Sequence, residues 1–253
     1  MSTSHSDPKQ QKLIISYKTL RNFVGFSGIL LPFIQLIFTK QIQNDAVVYQ
    51  GSMSDYYYTN TGEIFVIIIC TTAIFLFTYK GHDHLGEKIL INLAAVGALG
   101  LVLFPTGLKL TMPDAGVHVK DAARIVHVYK DIELHWIFAA TFFICLAALS
   151  LFFFTKSDKQ TTLIKREGSR MNQKSRRNII YIVAGSLMML CLVFILLLSV
   201  IPGLDEKLKD HSPIFIAETI ATIAFGISWI TKGETLFPDG QHYVITQLES
   251  LRQ

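Results

Sequence analysis

Glu218 is the residue whose position suggests chemistry most strongly, because it stands inside an apolar segment at about positions 213–231. A carboxyl group there is costly unless it is paired, protonated or facing water, so it marks either a binding site or a structural hydrogen bond. Ser212 and Pro213 are typical of an N-cap and a first helical residue, which places Glu218 about five residues and roughly 8 Å inside a helix. Thr222 lies one turn further on the same helical face and is expected to share the hydrogen bonding of Glu218.

Polar residues from other apolar segments are expected at the same level as Glu218. His135 opens the fourth segment, Gln35 stands in the outer half of the first, and Asp55 and Glu63 flank the start of the second. This convergence predicts an outward-facing polar pocket. Such a pocket suits a lipid headgroup or a small ligand, or a metal ion beside a general base.

Three histidines are the candidate metal ligands, namely His118, His127 and His135. Their spacing matches neither an HExxH zinc helix nor an EF-hand loop, and an interfacial histidine is more often a polar contact at headgroup level. The glycines form no GxGxxG phosphate-binding loop. We therefore expect no metal and no cofactor.

The composition points to lipid as the solvent of most of the chain. Of its 253 residues, 51% are hydrophobic and 17% are charged. Six apolar segments are long enough to cross a bilayer as helices. They lie at about 22–39, 63–79, 89–108, 135–155, 179–201 and 213–231. The sequence predicts an all-α polytopic membrane protein, with one six-helix domain at 22–231 between an N-terminal tail at 1–21 and a C-terminal tail at 232–253.

The basic residues are distributed unevenly between the two sides of the membrane. Of the 23 lysines and arginines, sixteen fall in the two tails and in the loops after the second and fourth segments. Cytoplasmic loops carry an excess of lysine and arginine, so both termini are predicted to be cytoplasmic. This distribution explains the net charge of +4 without a nucleic-acid partner. Membrane lipids are the expected partners, and the oligomeric state stays open.

Aromatic residues and glycines carry structural expectations. Tyr79, Tyr181 and Trp229 stand at predicted inner ends of helices, where aromatic rings favour the headgroup level. Helix contacts in membranes favour small residues. We therefore expect helices to approach closely at the glycines in the first and third segments, which are Gly25, Gly28, Gly97 and Gly100.

Several short motifs occur in a characteristic order along the chain. They are Gly25-x-x-Gly28 with Leu31-Pro32, Ser54-Asp55-Tyr56-Tyr57-Tyr58-Thr59, Leu103-Phe104-Pro105-Thr106, His135-x-x-x-Ala139, and Phe225-Gly226-Ile227-Ser228-Trp229. This order resembles a group of uncharacterised six-helix bacterial membrane proteins. More distantly, it is similar to the DRAM/FRAG-type family, which shares the six-helix plan, an external loop before the second span and a histidine opening the fourth. The resemblance implies a fold and a bacterial inner-membrane location, and it brings no established reaction.

Three functions follow as hypotheses. The first is a non-enzymatic membrane protein that binds a lipid or small amphiphile in the outer polar pocket. The second is a membrane-embedded, metal-dependent hydrolase that acts on lipid through His135, Asp55 and Glu218. The third is a small transporter or channel subunit, although no pair of broken helices marks an inverted repeat.

Overall fold

The structure is a computed structural model that describes residues 8–39, 42–43, 46–47, 49–79, 84–106, 128–129, 132–156 and 168–233. Its helices are α1 (Pro8–Phe38), α2 (Gly62–Thr78), α3 (Leu85–Leu103), α4 (Leu134–Ala148), α5 (Gly168–Val200), α6 (Leu204–Leu208) and α7 (Pro213–Lys232). A π-helical turn, Leu149–Phe153, continues α4, and 3-10 turns lie at Ser54–Tyr58 and Lys209–His211. Two-residue strands form two antiparallel pairs, β1 (Ile42–Gln43) with β2 (Ala46–Val47) and β3 (Val128–Tyr129) with β4 (Ile132–Glu133).

Five helical stretches within the described residues are long and apolar enough to cross a membrane. They are Lys18–Phe38, Leu85–Leu103, Leu134–Phe153, Ser175–Val200 and Pro213–Lys232. The remaining long helix, α2, is equally apolar in character but has 17 residues. The predicted all-helical, multi-pass architecture is confirmed at this level.

The six long helices form a closed ring. Each of α1 to α4 packs against the next long helix, α5 packs against α7, and α7 packs against α1. Contacts between α4 and α7 also cross the ring. Because neighbours alternate in direction, α1 and α3 end where α2, α4 and α7 begin. We call this the Met53 end, after the residue at its centre, and the opposite end the Trp229 end.

Glycines set the closest approaches between helices. A Cβ atom on Gly226 of α7 would lie 2.5 Å from the Gly25 carbonyl oxygen of α1, and one on Gly97 of α3 would lie 2.8 Å from the Phe142 nitrogen of α4. Both distances are too short for any side chain. The prediction that Gly25 and Gly97 lie at helix contacts is confirmed, and Gly226 supplies the matching surface for Gly25.

The ends of two helices differ from the predicted segments. α1 begins at Pro8, inside the predicted N-terminal tail, and α5 begins at Gly168, inside the predicted fourth loop. Hydropathy marks only the part of a helix that can enter lipid. Glutamine, lysine and arginine are good helix formers, so the backbone hydrogen bonds continue into these polar stretches.

Trp229, predicted at the inner end of the last helix, has its side chain buried inside the bundle. Its side chain is 1% exposed and lies within 6.0 Å, centroid to centroid, of the rings of Phe75, Tyr79, Phe154 and Phe225. Tyr79 and Tyr181 are also buried. These rings point into the bundle rather than towards its perimeter, so they bury apolar surface among the facing helices.

Candidate functional site

The loop at residues 49–61, here the Met53 loop, is bound to the bundle through its own backbone. The Met53 amide donates a hydrogen bond to Glu218 Oε2 of α7 over 2.6 Å. The Met53 carbonyl accepts one from Gln35 Nε2 of α1 over 3.0 Å. A single peptide segment is therefore held from two helices, and the buried Gln35 Nε2 has the partner that burial requires.

His135, at the start of α4, connects the Met53 loop to the end of α3. Its Nδ1 lies 2.9 Å from the Phe104 carbonyl oxygen, and its Nε2 lies 2.9 Å from Ser54 Oγ. A carbonyl only accepts, so Nδ1 carries a proton and, in the neutral ring, Nε2 accepts the Ser54 hydroxyl proton. Both ring nitrogens are thus engaged in the described arrangement, so His135, a candidate metal ligand, is held here as a hydrogen-bonding residue.

The first turn of α7 is capped by the Met53 loop rather than by Ser212. Ser212 adopts a left-handed conformation (φ 45°) and makes no side-chain capping hydrogen bond. Instead, the Phe215 amide donates to the Gly51 carbonyl over 3.0 Å. The predicted Ser212 side-chain cap is wrong because another segment of backbone satisfies the exposed amide, whereas Pro213 does occupy the first turn as predicted.

Two tyrosines complete the attachment of the Met53 loop. The Tyr58 hydroxyl donates to the Thr106 carbonyl over 2.7 Å. Tyr56 is fully buried, and this burial raises the pKa of its phenol above the ordinary value of 10.0, against the opposing effect of the Gln50 amide that donates to its oxygen. The loop is a packed part of the bundle rather than an open lid.

A cavity of about 50 Å³ lies inside the bundle beneath the Met53 loop. Most of its lining is apolar, and Ser54, Thr72, Glu218 and Thr222 supply its polar side chains. The other lining residues are Gly28, Leu31, Met53, Phe65, Ile68, Ile69, Leu101, Ala139, Phe142, Phe143 and Phe225. The cavity is thus more apolar than the expected polar pocket, because the Met53 loop takes up most of the converging polar groups.

Of the described residues that line this cavity, Glu218 alone is ionisable. Its Oε2 is held by the Met53 amide, and within the described part of the chain Oε1 has no hydrogen-bond partner. Thr222 donates its hydroxyl proton to the Glu218 carbonyl over 2.7 Å, so it bonds the main chain of Glu218 rather than the carboxyl group. Glu218 is thus a lining residue of the cavity with one carboxyl oxygen that the Met53 loop does not bind.

The predicted site residues differ in where the structure places them. Gln35, His135 and Glu218 are brought together through the Met53 loop, and Glu218 and Thr222 reach the cavity. Asp55 belongs to the loop, where its amide donates to Ser52 Oγ. Glu63 is exposed on the first turn of α2 and does not join the group.

Met53, Ser54 and the phenylalanines that line the cavity were not among the predicted site residues. Ser54 stands in the quoted Ser54–Thr59 motif, which was the available signal. Met53 contributes through its main chain, and nothing in a side-chain pattern marks such a role.

Among the described residues, no group of three or more histidine, cysteine, aspartate or glutamate side chains is arranged to hold a metal ion. His118 and His127 lie outside the described residues.

Comparison with known protein families, with curated protein sequences and with solved structures found no match for this chain. The similarity to six-helix bacterial membrane proteins and to the DRAM/FRAG-type family stays a prediction.

Proposed function

We propose that the protein spans the bacterial inner membrane six times, with both termini in the cytoplasm. The closed ring of six apolar helices supports the count, since α2 packs between two helices that meet the length of a span. The start of the apolar stretch of α1 and the end of α7 lie together, because Arg21 Nη1 donates to the Lys232 carbonyl over 2.8 Å. The excess of lysine and arginine in the tails supports a cytoplasmic position for that end.

We further propose that the protein binds a small amphiphile in the cavity beneath the Met53 loop. One observation carries this proposal. An apolar cavity inside a membrane bundle is lined by a carboxyl group with one oxygen that has no protein partner among the described residues. Binding sites for small molecules typically combine apolar walls with a few placed polar groups.

A cavity-filling substitution tests amphiphile binding. Ala139 lines the cavity on α4, and its neighbour Ala140 does not. With protein in a non-ionic maltoside detergent, hexyl compounds should raise the melting temperature of the wild type and of Ala140→Leu, but not of Ala139→Leu. If Ala139→Leu responds as the wild type does, the cavity is not the binding site.

Ester hydrolysis is a second candidate function, and the Ser54–His135 pair favours it. Ser54 lines the cavity, and its Oγ lies 2.9 Å from His135 Nε2, whose ring is oriented by the Phe104 carbonyl. In such a reaction Ser54 Oγ would bond to an acyl carbon while its proton passes to Nε2. The ester C–O bond would break, the alcohol would leave with that proton, and water would release the acid.

A fluorophosphonate probe tests this second candidate, because it reacts with activated serines. Hydrolysis predicts covalent modification of Ser54, found by peptide mass spectrometry and lost in His135→Gln. If Ser54 stays unmodified in folded wild-type protein, its hydroxyl only holds the Met53 loop. The metal-dependent hydrolase and the transporter or channel subunit remain proposals that await metal analysis and flux measurements.

A further inference from the structure

The polar side chains of the cavity have free hydrogen-bond acceptors, because their hydroxyl protons are already donated to groups of the protein. The three lining hydroxyls of Thr72, Thr222 and Ser54 give their protons to the Ile68 carbonyl, to the Glu218 carbonyl and, with a neutral ring, to His135 Nε2. Glu218 Oε1 is also an acceptor when the carboxyl group is ionised. A ligand that satisfies this lining must therefore bring its own donors.

The only charge that the described side chains can bring to the cavity lining is negative. Glu218 is the ionisable residue among the described residues that line the cavity, and no lysine, arginine or histidine is among them. A phosphate or carboxylate headgroup would meet a carboxyl group without a compensating cation, at a high cost in a medium of low dielectric constant. A cationic group would instead form a charge-assisted hydrogen bond with Glu218.

Four phenylalanines line the same cavity, namely Phe65, Phe142, Phe143 and Phe225. Aromatic rings attract cations through their quadrupole, and aromatic surroundings are used to bind ammonium ligands. Among the described lining residues, one carboxyl group combines with several aromatic rings and no basic side chain, which favours an ammonium group over an uncharged alcohol.

The size of the cavity limits what enters it. Its volume is about 50 Å³, and a buried water needs roughly 10–15 Å³ on the same measure. Roughly three to five water-sized groups fit, far fewer than in the pockets of about 300–1,000 Å³ that enclose whole drug-sized ligands. The cavity therefore suits a headgroup of a few heavy atoms, with the alkyl chain leaving between the helices.

From these observations we propose that the cavity selects amphiphiles with an ammonium headgroup, held by Glu218 and the surrounding phenylalanine rings. This inference rests on the proposed binding of an amphiphile and specifies the chemistry of the ligand.

The test compares three probes with the same six-carbon chain and different charges at pH 7, namely hexylammonium, 1-hexanol and hexanoate. Affinities are measured by calorimetry and by melting temperature on the full chain in maltoside detergent. We expect hexylammonium to bind about 10-fold or more tightly than the other two, in line with the strength of hydrogen bonds to charged groups.

Matched variants separate the carboxyl group from the rings. Glu218→Gln retains an acceptor for the Met53 amide, so it should fold, and it should lose the preference for hexylammonium over 1-hexanol. Glu63→Gln makes the same change at an exposed position and should behave as the wild type. Phe143→Leu keeps apolar volume and should weaken hexylammonium binding about 2-fold to 30-fold.

The outcomes distinguish the two levels of the proposal. If 1-hexanol or hexanoate binds as tightly as hexylammonium, or if Glu218→Gln keeps the preference, the ammonium inference is overturned while amphiphile binding stands. If none of the three probes binds, amphiphile binding itself is wrong.

Discussion

Both polar groups of the Met53 main chain are bound by side chains from helices that are far apart in sequence. Gln35 and Glu218 could be selected from the sequence because polar residues in apolar segments are rare and need partners. Their shared partner could not be selected, because every residue other than proline carries the same amide and carbonyl groups. The candidate residues were thus predictable, while the geometry that joins them was not.

Glu218 should behave as a structural acceptor as well as a cavity residue. Glu218→Leu leaves the buried Met53 amide without its acceptor, and we expect the free energy of unfolding to fall by about 1–3 kcal/mol. Glu218→Gln retains an oxygen and should cost less than about 1 kcal/mol. Unfolding in detergent, followed by circular dichroism, measures both. Glu63→Leu is the exposed control, and an equal loss there would contradict this role for Glu218.

Trp229 and Trp136 should differ in their access to lipid. The chain has two tryptophans. Trp229 is enclosed by aromatic rings, whereas Trp136 is half-buried at the start of α4. In nanodiscs with headgroup-labelled quencher lipids, Trp136→Phe should retain most of its fluorescence and Trp229→Phe should lose much of it. Equal quenching of the two variants would place Trp229 at the headgroup level.

At the scale of helices, the sequence predicted which segments are helical better than it predicted where each helix begins and ends. Long apolar runs determined five spans and α2, since each must bury its backbone polar groups internally. The polar extensions of α1 and α5 carry no hydropathy signal. The packing role of Gly25 was predictable from residue size, but its pairing with Gly226 depends on which helices become neighbours in space.

The contact between α1 and α7 should be sensitive to one methyl group. In Gly226→Ala, the new Cβ would lie 2.5 Å from the Gly25 carbonyl oxygen, so the two helices must separate. We expect a loss of about 1–3 kcal/mol in the free energy of unfolding. Gly86→Ala is a suitable control, because its Cβ would meet only the tip of the Phe153 ring, at 3.2 Å. Equal stability of the two variants would contradict the close packing.

At the scale of the molecule, the two ends of the ring carry different kinds of interaction. The Met53 end is held by hydrogen bonds between a loop and four helices, and the Trp229 end by edge-to-face and tilted aromatic rings. The first and last helices meet at the Trp229 end through Arg21 and Lys232. This places the two termini of the bundle on one side, whichever side that is.

Reporter fusions should locate both termini in the cytoplasm. A phosphatase reporter is active only outside and a fluorescent protein matures inside. We expect a fusion at Gln253 to fluoresce and an insertion at 109–134 to show phosphatase activity, because sixteen of the 23 basic residues fall on the side of the tails. A phosphatase-active fusion at Gln253 would overturn the orientation.

The ring is closed by its first and last helices, so α1 is synthesised long before the helix that it packs against, α7. α1 ends at Phe38 and α7 ends at Lys232, so 194 further residues must be made before the two can pair completely. At ribosomal speeds this takes roughly 10–40 s. During that interval the Gly25 face of α1 lacks its permanent neighbour and lies against lipid or the insertion machinery. A nascent chain stalled before Pro213 would therefore expose this face of α1 to other membrane helices. Such a chain would be an incompletely packed substrate for quality-control proteases.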